Sequence, residues 1–477
     1  MWVLLWTDAL LWLLVFAGIG YALYVRRQPH LRAPWQRVAR SATGMSALVF
    51  LAVFVVIALL DSIHFRPRLQ AAPGETQIVY SVEVLSVLDV LLEDLRLRGE
   101  RTYSAPLALY AHAKENIEQP DGSIVRDYPR LRHGGAHLED ESEYAGDVRR
   151  RVLQGIGWGL LAWLAFALYA VWRVARRHAE APGAALRRLL RGHADFPWRA
   201  VLASLLALCL LSGVIATLAQ GYHVFGTDKV GTDVLYQSLK SIRTGVVIGG
   251  LTTLVMLPFA VLLGIMAGYF KGWVDDVVQY IYTTLNSIPG VLLIAAAVLM
   301  MQVYIDTHPE LFPTTAQRAD LRLLFLCIIL GLTSWTGLAR LLRGEALKLR
   351  ELEYIQAARA FGVRHGRIIT RHVLPNVMHI VLIALVMDFS GLVLAEAVLS
   401  YIGVGVDPTM ISFGTMINAA RLEMAREPMV WWTLSAAFVF MFALVLSANL
   451  FADAVRDAFD PRLSLRPRMA LIAGTGR

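Results

Sequence analysis

Nine stretches of this chain are apolar for about the 20 residues that a helix needs to cross roughly 30 Å of hydrocarbon, and this constrains the fold more than any other feature. They lie near residues 2–24, 44–60, 152–172, 200–218, 246–268, 277–303, 321–339, 377–400 and 430–451. The 477 residues could otherwise make two or three soluble domains, but 57% are hydrophobic and only 17% charged, with a mean hydropathy of +0.54. That balance points to lipid as the solvent. The expected class is an all-α membrane protein, a polytopic helical bundle.

The first span has no positive segment before it and no small-residue cleavage site, so it reads as a retained anchor rather than a signal peptide. Cys209 and Cys327 both fall inside apolar spans, which leaves no disulfide framework and no thiolate metal site. The net charge of +8 comes from arginines clustered in short loops beside spans. That is the positive-inside pattern and not a nucleic-acid surface.

Arg26, Arg27, Arg32, Arg37 and Arg40 follow the first span and place that link in the cytoplasm, with the N-terminus outside. Alternation then assigns to the cytoplasm Arg173–Arg199, Arg340–Arg371 and a tail with Arg456, Arg462, Arg466 and Arg468. Arg149, Arg150 and Arg151 fall on the outer side and disagree, at the end of a long loop of the kind that translocates regardless of charge.

The chain divides into extra spans (1–61), an extracytoplasmic soluble domain (62–151), a third extra span with a basic cytoplasmic linker (152–199), a six-span core (200–463) and a cytoplasmic tail (464–477). In the soluble segment, the Val and Leu pattern of Ile78–Leu97 predicts an amphipathic helix, hence a small helical domain. After Glu115, the residues Pro120, Asp121, Gly122, Gly134 and Gly135 predict turns and loop. The linker Arg173–Pro197 suits a helix lying on anionic lipid.

Between the seventh and eighth spans runs Glu351-Leu-Glu-Tyr-Ile-Gln-Ala-Ala-Arg-Ala-Phe-Gly362, then Val363-Arg-His-Gly-Arg-Ile-Ile-Thr-Arg-His-Val-Leu-Pro375-Asn376. It is too polar for lipid. Good helix formers place Ala357, Ala358 and Gly362 where small side chains admit a close neighbour. Gly362 stops the helix, and Pro375 restricts the chain before the next span. This string resembles the EAA loop of ABC importer permeases, in the form found in the dipeptide and oligopeptide (and nickel) family. The resemblance implies the type I importer transmembrane fold of six core spans, here with three extra N-terminal spans. It also implies that this helix docks into a cleft on an ATPase subunit through Glu353, Gln356, Ala357, Ala358, Gly362 and Pro375. Gln356 departs from the family's Glu, and Glu353 stands one turn earlier.

Other stretches match the same family. His223-Val-Phe-Gly226-Thr227-Asp228-Lys-Val-Gly231-Thr-Asp233 resembles its extracytoplasmic GTD loop, with Gly and Asp spaced for tight turns and Thr232 where the family has Arg. Ser287-Ile-Pro289 interrupts the sixth span and predicts a kinked helix. Asp388 and Glu396 lie within the eighth span and must face protein or water. They read either as inter-helix hydrogen-bonding groups or as groups on the substrate path. Asp407-Pro408, Phe413-Gly414 and Arg456-Asp-Ala-Phe-Asp-Pro461 continue the resemblance, which runs from about 200 to 463.

No G-x-x-x-x-G-K-[ST] loop is present, nor H-E-x-x-H, so neither ATP hydrolysis nor metal catalysis is expected of this chain. The resemblance implies a permease of the bacterial inner membrane that binds no cofactor, with ATP and Mg on two partner ATPase subunits. A second homologous permease and a periplasmic substrate-binding protein are the other implied partners, and peptides are the first expectation for cargo. A secondary transporter using Asp388 and Glu396 is the rival reading, and it leaves the 351–375 loop unexplained.

Overall fold

The computed structural model describes residues 1–68, 80–118, 124–192, 196–308, 310 and 314–459. In chain order the elements are β1 (Trp2–Val3), α1 (Trp6–Arg27), α2 (Pro29–Val38), α3 (Ala42–Asp61), β2 (His64–Phe65), β3 (Leu85–Ser86), α4 (Val87–Leu91), α5 (Glu93–Leu97), β4 (Glu115–Glu118), β5 (Ile124–Asp127) and α6 (Tyr144–His178). Then follow α7 (Pro182–Arg191), α8 (Trp198–Ala219), α9 (Val234–Phe270), α10 (Trp273–Ser287), α11 (Gly290–Thr307), α12 (Thr315–Ser334), α13 (Thr336–Arg350), α14 (Glu353–Ala360), α15 (His365–Ile368), α16 (Leu374–Tyr401), α17 (Phe413–Glu423) and α18 (Trp432–Phe459). Among the described residues nine helical stretches are long and apolar enough to cross a membrane: α1, α3, α6, α8, α9, α11, α12 with α13, α15 through α16, and α18.

Packing separates two compact units. One holds the described residues of Met1–Val3, Ala39–Thr244 and Ile411–Ser447; the other those of Leu4–Val38, Gly245–Met410 and Ala448–Arg477.

In the first unit α6 and α8 cross at backbone contact. A Cβ on Gly155 would lie 2.6 Å from the Val214 Cα, one on Gly159 2.5 Å from the Cys209 carbonyl oxygen, and one on Gly213 2.4 Å from the Gly155 carbonyl oxygen. Gly155 and Gly159 form a G-x-x-x-G pair, which lets two helices approach without side chains between them. Trp163 Nε1 donates to the Leu202 carbonyl at 2.9 Å and Thr217 Oγ1 to that of Arg151 at 2.9 Å, so polar bonds flank the glycine crossing. Arg150 and Arg151, two of the three charges that oppose the expected positive-inside pattern, lie 2.6 and 2.7 Å from buried Asp147, which offsets part of their charge.

The segment between α3 and α6 is not the small helical domain that the sequence predicts. Of Ile78–Leu97, residues 78–79 lie outside the described residues, 80–86 are non-helical, and helix occupies only α4 and α5. The Ser86 hydroxyl accepts the Asp89 N–H at 3.1 Å and the Asp89 carboxylate accepts the Ser86 N–H at 2.8 Å. This capping box starts the helix at Val87. Upstream, alternating Val82 and Val84 suit extended chain, and Leu85–Ser86 joins an antiparallel sheet ordered β1-β2-β3, with Trp2 opposite Phe65 and His64 opposite Ser86. The stretch after Glu115 holds the hairpin β4-β5, with Asn116 opposite Arg126, and not loop alone. The predicted turn at Pro120–Gly122 lies outside the described residues, as does the tail 464–477.

In the second unit a buried cluster joins Met256 and Ala260 of α9, Leu338 and Leu342 of α13, and Val377 of α16. The predicted kink in the sixth span is a full break: Ile288 is extended (φ −91°, ψ 130°) and α10 and α11 are separate helices. Pro289 disfavours helical geometry at the residue before it and supplies no N–H to bridge the gap.

Candidate functional site

A helix of eight residues does not hold its own shape in water, so α14 depends on its anchor. Ile355 is fully buried in the cluster that also contains Leu342, Ile368 and Val373. Around this pin Glu353, Tyr354, Gln356, Ala357, Arg359 and Ala360 are exposed, and Phe361 is 87% exposed, a large aromatic ring left in solvent. Ala358 instead packs against the buried cluster, so of the three small residues only Ala357 and Gly362 face outward.

The helix ends in a Schellman turn. The Val363 N–H donates to the Ala358 carbonyl at 3.1 Å and the Gly362 N–H to that of Arg359 at 3.0 Å. Gly362 has φ +72°, a conformation glycine adopts without the steric penalty of a side chain. The Gln356 amide donates to the Glu351 carbonyl at 3.1 Å and so folds back on its own loop. Two further bonds fix the loop: Arg350 donates to the Tyr269 carbonyl at 3.0 Å, and Lys271 to Glu351 at 2.9 Å. Arg343 holds Asp275 in a two-point ion pair at 2.6 and 2.7 Å, joining α13 to α10.

Pro375 precedes the apolar run 377–400, in the first turn of α16, but the helix continues through it from His365 to Tyr401, with a π turn at Ile369–Val373 ending two residues before it. A proline ring clashes with the carbonyl four residues back and removes one hydrogen bond, and a widened turn at that point accommodates both.

The 220–233 loop is held by the domain between α3 and α6. Thr227 Oγ1 accepts the Ser104 N–H at 2.7 Å and donates to the Thr102 carbonyl at 2.9 Å, while Trp432 Nε1 donates to the Thr227 carbonyl at 2.9 Å. Gly226 and Gly231 have φ +71° and +78°. A Cβ on Gly231 would fall 1.9 Å from the Glu100 carbonyl oxygen. Asp228 accepts the N–H groups of Val230 and Thr232 at 3.0 and 2.8 Å, and Asp233 caps α9 by accepting the Leu235 N–H at 2.8 Å.

Buried His223 bridges Asp233 at 2.7 Å and Glu100 at 3.3 Å. Burial alone would pull the His223 pKa down, but its bonds to Asp233 and Glu100 win and raise it to about 9. Burial alone would raise the Glu100 carboxyl, yet bonds from His223 and from the N–H groups of Arg132, His133 and Gly134 bring it to about 2.

Glu396 is buried and accepts the Ser400 hydroxyl at 2.6 Å. Asp388, half-buried, makes no hydrogen bond or ion pair among the described residues. Sequence reasoning missed Glu100, His223 and a second charged cluster, in which the partly buried Lys240 of α9 lies 2.6 Å from Asp61 and 2.9 Å from Asp89. The signal was a lysine and an aspartate placed within or at the end of apolar spans, where each needs a partner.

Among the described residues nine apolar helical stretches define a multi-pass membrane protein, and in its second unit the exposed helix α14 is pinned to a buried cluster. Residues 260–465 match the family described as "Binding-protein-dependent transport system inner membrane component". The oligopeptide transport system permease protein OppC of Mycobacterium tuberculosis is 34% identical over 239 residues, 50% of this chain and 76% of that protein. The glutathione transport system permease protein GsiD of Pectobacterium atrosepticum is 32% identical over 241 residues (50% and 73%), and the dipeptide transport system permease protein DppC of Bacillus subtilis 27% over 241 (50% and 69%). The chain belongs to this family of ABC importer permeases, in the branch that holds the oligopeptide and dipeptide transport permeases. As a permease subunit of the inner membrane it is not itself an enzyme, binds no cofactor, and works with an ATPase and a binding protein.

Proposed function

We propose that this chain forms half of the path of an ATP-driven peptide importer and receives the motion of its ATPase through α14. The observation that carries this reading is the exposed face of Glu353, Gln356, Ala357 and Phe361 on a helix pinned by fully buried Ile355. A helix anchored on one face, through Ile355 and Ala358, and exposed on the other can enter a cleft on another subunit and pass on displacement through its pin. The Glu351–Lys271 and Arg343–Asp275 pairs tie that pin to α9, α10 and α13. Two ATPase subunits carry ATP and Mg, a second, homologous permease completes the path, and a periplasmic binding protein delivers the cargo. Peptide cargo is supported by the names of the relatives, which carry oligopeptides, dipeptides and glutathione.

The arginine clusters support a cytoplasmic C-terminus and an N-terminus outside, with the 62–151 domain and the Gly226–Asp233 loop extracytoplasmic. In that arrangement residues 1–199 are an added module and 200–463 the transport core.

The test is copurification of the complex in mild detergent. A side chain at Gly362 would be strained whatever the partner, because of its positive φ. Ala357→Trp, exposed and helical, probes docking without that strain. ATPase chains that accompany wild type and are lost in Ala357→Trp support the coupling role. Retention of the ATPases with unchanged uptake rejects it.

A further inference from the structure

We propose that the cleft between the end of α1 and the short helix α2 binds an anionic phospholipid, its phosphate headgroup between Arg26 and Arg32. One side of α2 is fixed to protein: Val38 is buried, and the Trp35 ring meets Phe459 edge-on at 5.5 Å and Tyr21 at 6.4 Å. The other side, Pro29, Arg32, Ala33 and Gln36, forms with Arg26 a cleft of about 310 Å³. Residues 29 and 33, and 32 and 36, are one turn apart, so the cleft follows one helix face.

The charge in this cleft is unanswered. Arg26 and Arg32 are exposed and make no ion pair or hydrogen bond among the described residues. No acidic residue occurs in the sequence between Asp8 and Asp61, and on α18, which Trp35 contacts, Asp453 and Asp457 face Arg456. By contrast Arg188 of α7 is paired with Glu180. Two guanidinium groups at one cleft match the oxygens of a phosphate.

The neighbouring surface selects a lipid over a free anion. Phe16, Ile19 and Leu23 are each more than half exposed, and their spacing continues to Arg26 along one face of α1. An acyl chain can lie on this stripe while its headgroup occupies the cleft, the arrangement expected where arginines end a membrane span. This rests on the reading that places residues 28–41 at the membrane border on the cytoplasmic side.

Native mass spectrometry of the detergent-solubilised complex, titrated with phosphatidylglycerol, phosphatidylcholine or inorganic phosphate, tests the proposal. Wild type should retain phosphatidylglycerol in preference to phosphatidylcholine, and R26Q/R32Q should bind it about tenfold more weakly. R126Q/R149Q removes equal charge from exposed positions of β5 and α6 and should leave that binding unchanged. Equal retention by wild type and R26Q/R32Q, or equal loss in both double variants, would overturn the cleft. Displacement of the lipid by inorganic phosphate would overturn the choice of lipid. Labelling of Arg40→Cys by an impermeant maleimide from outside intact cells would overturn the sidedness alone, because binding in detergent does not depend on it.

Discussion

Asp320, one turn into α12, accepts the backbone N–H of Trp6 at 2.8 Å and so caps a helix 314 residues away in sequence. The same carboxylate accepts the Thr7 N–H at 3.2 Å and the Thr7 hydroxyl. Leu5, at the cap position of α1, offers no side-chain bond of its own. A helix outside the family-matched residues 260–465 therefore has its dipole and unpaired donors satisfied by a helix within them.

Replacing Asp320 by Ala should cost about 1–2 kcal/mol, with Asp320→Asn intermediate. Thermal stability in detergent, followed by size-exclusion fluorescence, reads this. A variant as stable as wild type would show that the cap contributes nothing.

The glycine crossing of α6 and α8 makes a sharper contrast. Gly159→Leu should destabilise the protein by about 1–3 kcal/mol or more, since no side chain fits against the Cys209 backbone. Gly157→Leu, two residues away with nothing within 4 Å, should be neutral. Similar losses in both variants would mean that helix propensity and not contact sets the cost.

The His223 bridge predicts a pH dependence. The His223 pKa is raised from 6.5 to about 9, so its stabilisation is complete below pH 6.5 and lost as pH rises through 9. Glu100 is depressed from 4.5 to about 2, so its contribution is present above pH 4.5 and lost as pH falls through 2. Hydrogen-exchange protection of residues 100–111 and 223–233 should be greatest between those windows and decline toward pH 9. In His223→Gln the alkaline decline should vanish, and a flat wild-type profile from pH 6.5 to 9 would remove the bridge from consideration.

Ile355→Ala should loosen α14 by about 2–5 kcal/mol of local packing. In proteoliposomes the complex should keep basal ATPase activity and lose substrate-stimulated activity and uptake together. Stimulated uptake at the wild-type level would show that motion does not pass through this pin.

The spans were legible because length and hydropathy alone define them, and the Ser287–Pro289 interruption was visible as a proline in an apolar run. The break went further than a kink because Ile288 left helical geometry as well. Ile78–Leu97 misled because β-branched residues at alternating positions mimic the density of an amphipathic helix. The G-x-x-x-G pair of Gly155 and Gly159 is a sequence signal for the close helix crossing that the structure shows. No local pattern could have joined Lys240 to Asp61 or Trp6 to Asp320, since sequence periodicity carries no information about partners 179 or 314 residues apart. At the 351–376 loop the helix and its glycine stop were readable, but the inward turn of Ala358 and the π turn before Pro375 required coordinates.

The contacts around His223 and Lys240 determine how this chain could be recombined with its relatives. A chimera joined at residue 199 would take Glu100, Ser104, Asp61 and Asp89 from one parent and His223, Thr227 and Lys240 from the other. It would leave a partly buried lysine without its carboxylates and a buried histidine without one of its two. A graft that carries residues 39–244 together with the segment 411–432 that holds α17 would instead move every one of these partners as a set, and that is the unit in which such an extension could be gained or exchanged between permeases.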